Sequence, residues 1–368
     1  MGLCMSEERP LHNRVRAHRL VRGWSQDELA VRAGVSRAGI SAIEQGRIVP
    51  SAATALALAT VFGCRVEDIF SLGDTAAQQP QWAWPPPSDP YRYWQAVVAG
   101  NKMLYPVEPA SLGVVPHDGV CKDGAVGDQH QDSTVPDRTL VIACCDPAVG
   151  LLASALEHTH GIRLIAFQRP SRAALALLAQ GLIHVAGVHL AGCSQPSLNV
   201  TAARGALRQG FTLLRVARWH EGLVVSPDRR VKSVRAALQA KLRWVGREAG
   251  SAVAEILDEL LAGRSAPRRH ASSHRGVVEA VRCGWADVGV CLRLASEEAG
   301  LDFVGIRHED YDLCYPAEYE GDPRIQALVE TVRSSTYRRM LKDLPGYDTE
   351  KTGELQRVTA SRKHTPGK

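Results

Sequence analysis

Cysteine, histidine, serine and aspartate stand at several points where they could do chemistry. Cys144, Cys145 and Asp146 end an apolar run, TLVIACCD, and His189 lies near the end of another, LIHVAGVHL. Cys193 and Cys291 fall near the ends of further strand-like runs, and Ser171 and the pair Gly250–Ser251 stand where helical patterns begin. Hydroxyls and free N–H groups at helix starts suit an oxyanion or a small polar metabolite. Thiols beside an imidazole suit a soft metal or a thiol-reactive signal. Cys144 or Cys145 with His189 would also make a nucleophile and its base, but no third residue that orients the base can be named. A structural role carries more weight, because buried cysteine packs as a small apolar residue, Asp146 can cap the next helix and His189 can be a packed side chain. No C-x-x-C pair occurs, and His117, Cys121 and His130 in the polar loop HDGVCKDGAVGDQHQD fit no standard metal spacing. The expectation is of no metal and no cofactor.

A second set of residues lies near the N-terminus, in WSQDELAVRAGVSRAGISAIEQGR, Trp24 to Arg47. Ser25 caps a helix with Glu28 three residues on, and Ser36 caps the next one after the tight turn Gly34–Val35. Two helices so joined form a helix-turn-helix, and the second presents Arg37, Ala38 and Ser41 on its outer N-terminal side. Arg37 can contact guanine O6 and N7 together. Gln26, at the start of the preceding helix, and Arg47, just past the recognition helix, are phosphate candidates. Gly39 within that helix costs up to about 1 kcal/mol of helix stability.

The elements that must position these groups follow from periodicity and punctuation. Residues 10–72 read as five short helices. Residues 73–90 are rich in Gln and Pro and read as a stiff linker. Residues 91–138 read as a β hairpin, YRYWQAVV and KMLYPVEP, followed by a polar loop. From Thr139 strands and helices alternate to about residue 345, the signature of a parallel α/β sheet. Residues 346–368 read as a polar tail.

The 368 residues are 45% hydrophobic and 23% charged, with a net charge of +5, an ordinary balance that permits a nucleic-acid partner without requiring one. Nine cysteines and no secretory signal suggest a reducing cytoplasm. No apolar run approaches the roughly 20 residues of a membrane span. The Gly-rich nucleotide loop, the G-x-S-x-G elbow and the metalloprotease motif are missing, so an enzyme is not expected.

Residues 12–72 resemble the Xre-type (Cro/C1) helix-turn-helix family in SQDELA, the AGVS turn, ISAIEQGR, Pro50–Ser51 and VFGCRVEDIF. Residues 139–345 resemble the type 2 periplasmic-binding-protein fold, and more closely the molybdate-binding-protein-like domain fused behind such modules. The resemblance rests on Asp146-Pro147-Ala148, LAQGLIHVAGVHL, REAGSAVAEIL and AVRCGWADVGVCLRLASEEAGLDFV in that order. It implies a fold of α plus α/β type, with a helical DNA-reading domain followed by a two-lobed clam-shell. The implied function is a cytoplasmic regulator that binds double-stranded operator DNA as a homodimer or larger even oligomer and senses a small molecule or oxyanion. A soft-metal or redox sensor using Cys144, Cys145, Cys193 and Cys291 is the alternative.

Overall fold

A computed structural model describes residues 11–13, 15–22, 24–72, 81–109, 114–123, 125–127, 135–192 and 198–359. Cys193 and His130 lie outside them. The chain divides into two compact units, residues 1–80 and 81–368.

The first unit runs β1 (Leu11–Asn13), α1 (Val15–Val21), α2 (Gln26–Ala33), α3 (Arg37–Glu44), α4 (Ala52–Phe62), α5 (Val66–Ile69) and β2 (Phe70–Leu72). Local signals set these helices. Ser25, Ser36 and Ser51 accept from backbone N–H groups three residues on, and Gly34 and Gly63 close α2 and α4 in the left-handed conformation that a Cβ disfavours. Leu29, Ile40, Ile43, Leu58 and Phe62 form the core. Sequence reading missed the pairing of β1 with β2, two three-residue strands whose partnership lies across the whole unit.

The second unit opens with β3 (Gln81–Trp82), β4 (Tyr91–Val98), β5 (Asn101–Pro106), β6 (Gly119–Lys122) and β7 (Ala125–Val126), which make one five-stranded sheet. The expected linker therefore does not extend past residue 80, and the expected connector is a packed layer. Ala83, Ala96, Met103 and Tyr105 share a core with Phe167 and Leu175, and the Trp84 ring meets Phe167 edge-on at 4.7 Å. Arg163 fastens the layer through bonds to Asp118 at 2.6 and 2.8 Å and to the Gln95 carbonyl at 2.9 Å.

The α/β part follows as β8 (Thr139–Cys144), α6 (Val149–His160), β9 (Arg163–Gln168), α7 (Ser171–Ala179), β10 (Val185–Gly192), α8 (Leu198–Ala206), β11 (Phe211–Val225), α9 (Val234–Gln239), β12 (Trp244–Arg247), α10 (Ala252–Leu260), β13 (Arg269–Ala271), α11 (His274–Arg282), β14 (Val288–Leu292), α12 (Arg293–Glu298) and β15 (Asp302–Pro316). It closes with α13 (Pro323–Arg333), α14 (Ser335–Lys342), β16 (Tyr347–Asp348) and β17 (Leu355–Val358). The strands lie in the order β13-β12-β14-β11-β15-β10-β8-β9, with β16 and β17 paired to β11. β8 shows why the pattern is strand-like. Leu140 and Ile142 enter one core with Leu152 and Leu328, while Val141 and Ala143 enter the opposite one with Leu175, so the period of two buries both faces.

Two lobes share this sheet. One holds β8, β9 and β10, and the other β12, β13 and β14; β11 and β15 run through both, paired antiparallel from Phe211↔Pro316 to Val225↔Asp302. Charged residues interrupt both strands midway, so neither shows in the sequence as one continuous run. The tail expected after residue 345 is partly ordered strand, with β17 pairing Phe211–Leu214 and the Thr352 hydroxyl bonding the Val216 carbonyl at 2.6 Å. Among the described residues no helix is long and apolar enough to cross a membrane.

Candidate functional site

The recognition helix α3 is held from behind. Glu44 accepts from Arg19 of α1 at 2.6 and 3.0 Å and from the Gln26 side chain at 2.9 Å. Gln26 thus has its amide engaged, and what it offers a phosphate is its place at the first turn of α2. Ser36 likewise uses its hydroxyl as a cap, accepting from the Gly39 N–H at 3.0 Å. Arg37, Ala38 and Arg47 are exposed and Ser41 is half-buried. Arg37 lies 3.5 Å from Asp27, an exposed pair that is worth little and that a base edge can replace. Gly39 has a packing reason, because a Cβ there would fall 3.0 Å from Val35 Cγ1 and 3.1 Å from the capping Ser36 Oγ.

A different site forms where β11 and β15 pass from one lobe to the other. Cys145 comes from just beyond β8, His189 from β10, Glu221 from β11, Arg247 from the end of β12, His274 from the start of α11 and Glu309 from β15. All six are buried, at 3% exposure or less. The His189 Nε2 lies 2.9 Å from Cys145 Sγ, its Nδ1 lies 2.9 Å from Glu309 Oε2, and Arg307 grips the other Glu309 oxygen at 2.7 Å. Glu221 Oε1 stands 4.0 Å from His189 Nδ1. The Trp219 ring meets His189 at 5.0 Å and stacks on Tyr311 at 4.3 Å.

Six buried atoms at this junction have no hydrogen-bond partner: Glu221 Oε1 and Oε2, Arg247 Nε and Nη1, His274 Nε2 and Trp219 Nε1. Each such group costs about 1–3 kcal/mol, so their concentration in one place marks a site made to meet something else.

The electrostatics identify which atoms carry protons. Burial alone would lower the His189 pKa, but Cys145 and Glu309 outweigh it and raise it well above its ordinary value. Burial, with Arg247 and His189 adding to it, holds His274 well below its ordinary value. The His274 Nδ1 accepts the Leu292 N–H at 3.2 Å, so the hydrogen of this neutral ring sits on the unpartnered Nε2. Burial and then Glu309 raise Glu221. The ligating atoms of Cys145, His189 and His274 lie within 4.8 Å of one another, as do those of His189, Glu221 and Glu309. Such sets could hold a metal once His189 gives up its proton, but His274 points an N–H where a cation needs a lone pair.

Other expected ligand-binding residues are engaged elsewhere. Ser171 does not cap α7, a place taken by Pro170; it is fully buried, and its hydroxyl accepts the His189 N–H at 3.1 Å. Ser251 caps α10 by accepting the Ala254 N–H at 3.2 Å and donates to the Glu248 carbonyl, while Gly250 turns the chain before it at φ 84°. Asp146 precedes α6 by a turn, its Oδ1 accepting from the Ala148 N–H at 2.9 Å and the Tyr347 hydroxyl at 2.6 Å. Cys144 packs in a core against which Gly187 leaves room, since a Cβ there would come 2.5 Å from Cys144 Cβ. Cys291 lies in the core of the other lobe. Among the described residues, Cys145 is the cysteine named from sequence that the structure brings to His189. Sequence reasoning missed Glu221 and Glu309 as site residues, although a carboxylate inside an otherwise apolar strand is itself a signal.

Residues 15–69 match the helix-turn-helix family model and residues 153–333 match that of the PBP superfamily domain. Over 64 residues the chain is 39% identical to the uncharacterized HTH-type transcriptional regulator MJ0272 of Methanocaldococcus jannaschii, covering 17% of this chain and 97% of that protein. The uncharacterized protein YvgK of Bacillus subtilis is 26% identical over 154 residues, 39% of this chain and 49% of that protein, so the chain spans about half of YvgK's own length. A putative phosphate transporter substrate-binding protein with bound phosphate from Clostridium perfringens has a TM-score of 0.46 at 11% identity, covering 60% of this chain and 100% of that one. The chain belongs to the helix-turn-helix transcriptional regulators, with a PBP superfamily domain joined behind the DNA-reading module.

Proposed function

We propose that the protein is a cytoplasmic, ligand-responsive transcriptional regulator whose helix-turn-helix reads operator DNA as a homodimer or larger even oligomer and whose interlobe cluster binds a small molecule. The observation that carries this reading is the set of unpartnered polar atoms from Glu221, Arg247, His274 and Trp219 at the meeting point of two lobes. An occupant that satisfies them favours the form of the protein it binds best, and linkage requires that it then changes affinity for DNA if the two forms bind DNA differently. A thermal-shift screen of small metabolites tests it, run on the parent and on Arg247→Gln. A compound at a hundredfold excess over its Kd should stabilise the parent by about 2.7 kcal/mol and leave the variant unshifted. Equal shifts in both would place the ligand elsewhere.

A thiol-based signal is the second reading, favoured by Cys145 Sγ at 2.9 Å from an imidazole that Glu309 orients. This is also the geometry of a nucleophile, its base and the acid that positions the base. Burial of Cys145 at 3% exposure supports a binding role over turnover. Cys145→Ser separates the readings, because a thiol signal would be lost with the sulfur and a bound metabolite would not.

A further inference from the structure

The unpartnered atoms fall into two chemical kinds. Arg247 Nε and Nη1 and His274 Nε2, both from the lobe of β12 and β14, are hydrogen donors. Glu221 presents two bare carboxyl oxygens from the shared strand β11. The two kinds do not satisfy each other: the nearest acidic partner of Arg247 is Glu248 at 3.6 Å, and the ion pair of Glu221 is with His189 at 4.0 Å. An occupant must therefore bring acceptors for the guanidinium and imidazole and hydrogens for the carboxylate.

We infer, building on the ligand-sensing role proposed above, that this cluster binds a small α-amino acid, its carboxylate on Arg247 and His274 and its ammonium on Glu221. A guanidinium and a ring N–H, near enough for the charge of Arg247 to lower the His274 pKa, offer donors to the two oxygens of a carboxylate. An ammonium has three hydrogens, enough for both Glu221 oxygens. A tetrahedral oxyanion meets only half of the site: it brings no hydrogens for Glu221, whose ionised carboxyl would repel it and whose protonated carboxyl would still leave one oxygen bare. A divalent metal meets the other half, facing Arg247 and the inward N–H of His274.

Isothermal titration of the full chain with each of the protein L-amino acids, with molybdate and with Zn²⁺ tests the assignment. At least one amino acid should bind with one site per chain. The acid of the same carbon skeleton without its amino group should bind the unmodified protein about tenfold or more weakly, a comparison that needs no variant to fold. That gap should close in Glu221→Gln, and Arg247→Gln should weaken both compounds. No amino-acid binding, or an amino group that makes no difference to affinity, overturns the assignment. Molybdate or Zn²⁺ binding that is lost in Arg247→Gln or Glu221→Gln overturns it too while leaving the sensing role standing. Binding of an amino acid that ignores both substitutions refutes the location and with it that role.

Discussion

The Asp146 carboxyl accepts the Ala148 N–H and the Tyr347 hydroxyl on one oxygen, Oδ1, and burial raises its pKa from 3.8 to about 6 even though these two bonds pull it down. A folded-state pKa above the unfolded value gives stability that is full below about pH 4 and is lost as pH rises through about 6. At neutral pH the charged group is a liability of roughly 1–3 kcal/mol. Asp146→Asn keeps an acceptor for both donors and presents an N–H where the protonated acid has its O–H. The variant should match the parent near pH 4 and exceed it by that amount at pH 7.5, read from urea unfolding at the two values. A variant less stable than the parent at pH 7.5 would mean that the carboxylate is needed in its charged form.

At the scale of elements, α3 makes the most direct statement. Arg37→Ala should weaken binding to the specific operator by about 1–3 kcal/mol and relax preference at one position per half-site, as read by mobility shift on a set of operator variants. Arg47→Ala should weaken all sequences alike and flatten the salt dependence. The five helices of this unit were legible because Ser25, Ser36 and Ser51 with Gly34 and Gly63 punctuate them within a few residues. Pairings between distant segments were not legible. β16 and β17 carry polar sequence and are strands because β11 accepts them, and Gln81–Trp82 joins a sheet whose partner strand lies some twenty residues on. The lobes could be read from alternating apolar runs, whereas the continuous β11 and β15 could not, since Glu221 and Glu309 break the apolar pattern at the very positions that build the site. Ending the chain after residue 345 removes Tyr347, which meets Trp219 edge-on at 5.9 Å, along with the β17 pairing. The truncated protein should lose about 3–5 kcal/mol, seen as a fall in thermal midpoint.

For the whole molecule, a single helix-turn-helix reads few base pairs, and two copies give useful specificity. Footprinting should show an inverted repeat with half-site centres about 10–10.5 bp apart or a multiple of that, and light scattering should find a dimer or larger even assembly on DNA. In the proposed function the signal enters at the cluster around Glu221 and Arg247. The decisive measurement is operator affinity by mobility shift, with and without a compound that raises the thermal midpoint of the parent, in the parent and in Arg247→Gln. The compound should change operator affinity in the parent by about fivefold or more, and Arg247→Gln should lose that change. A compound that shifts operator affinity equally in both proteins would mean that the signal enters elsewhere.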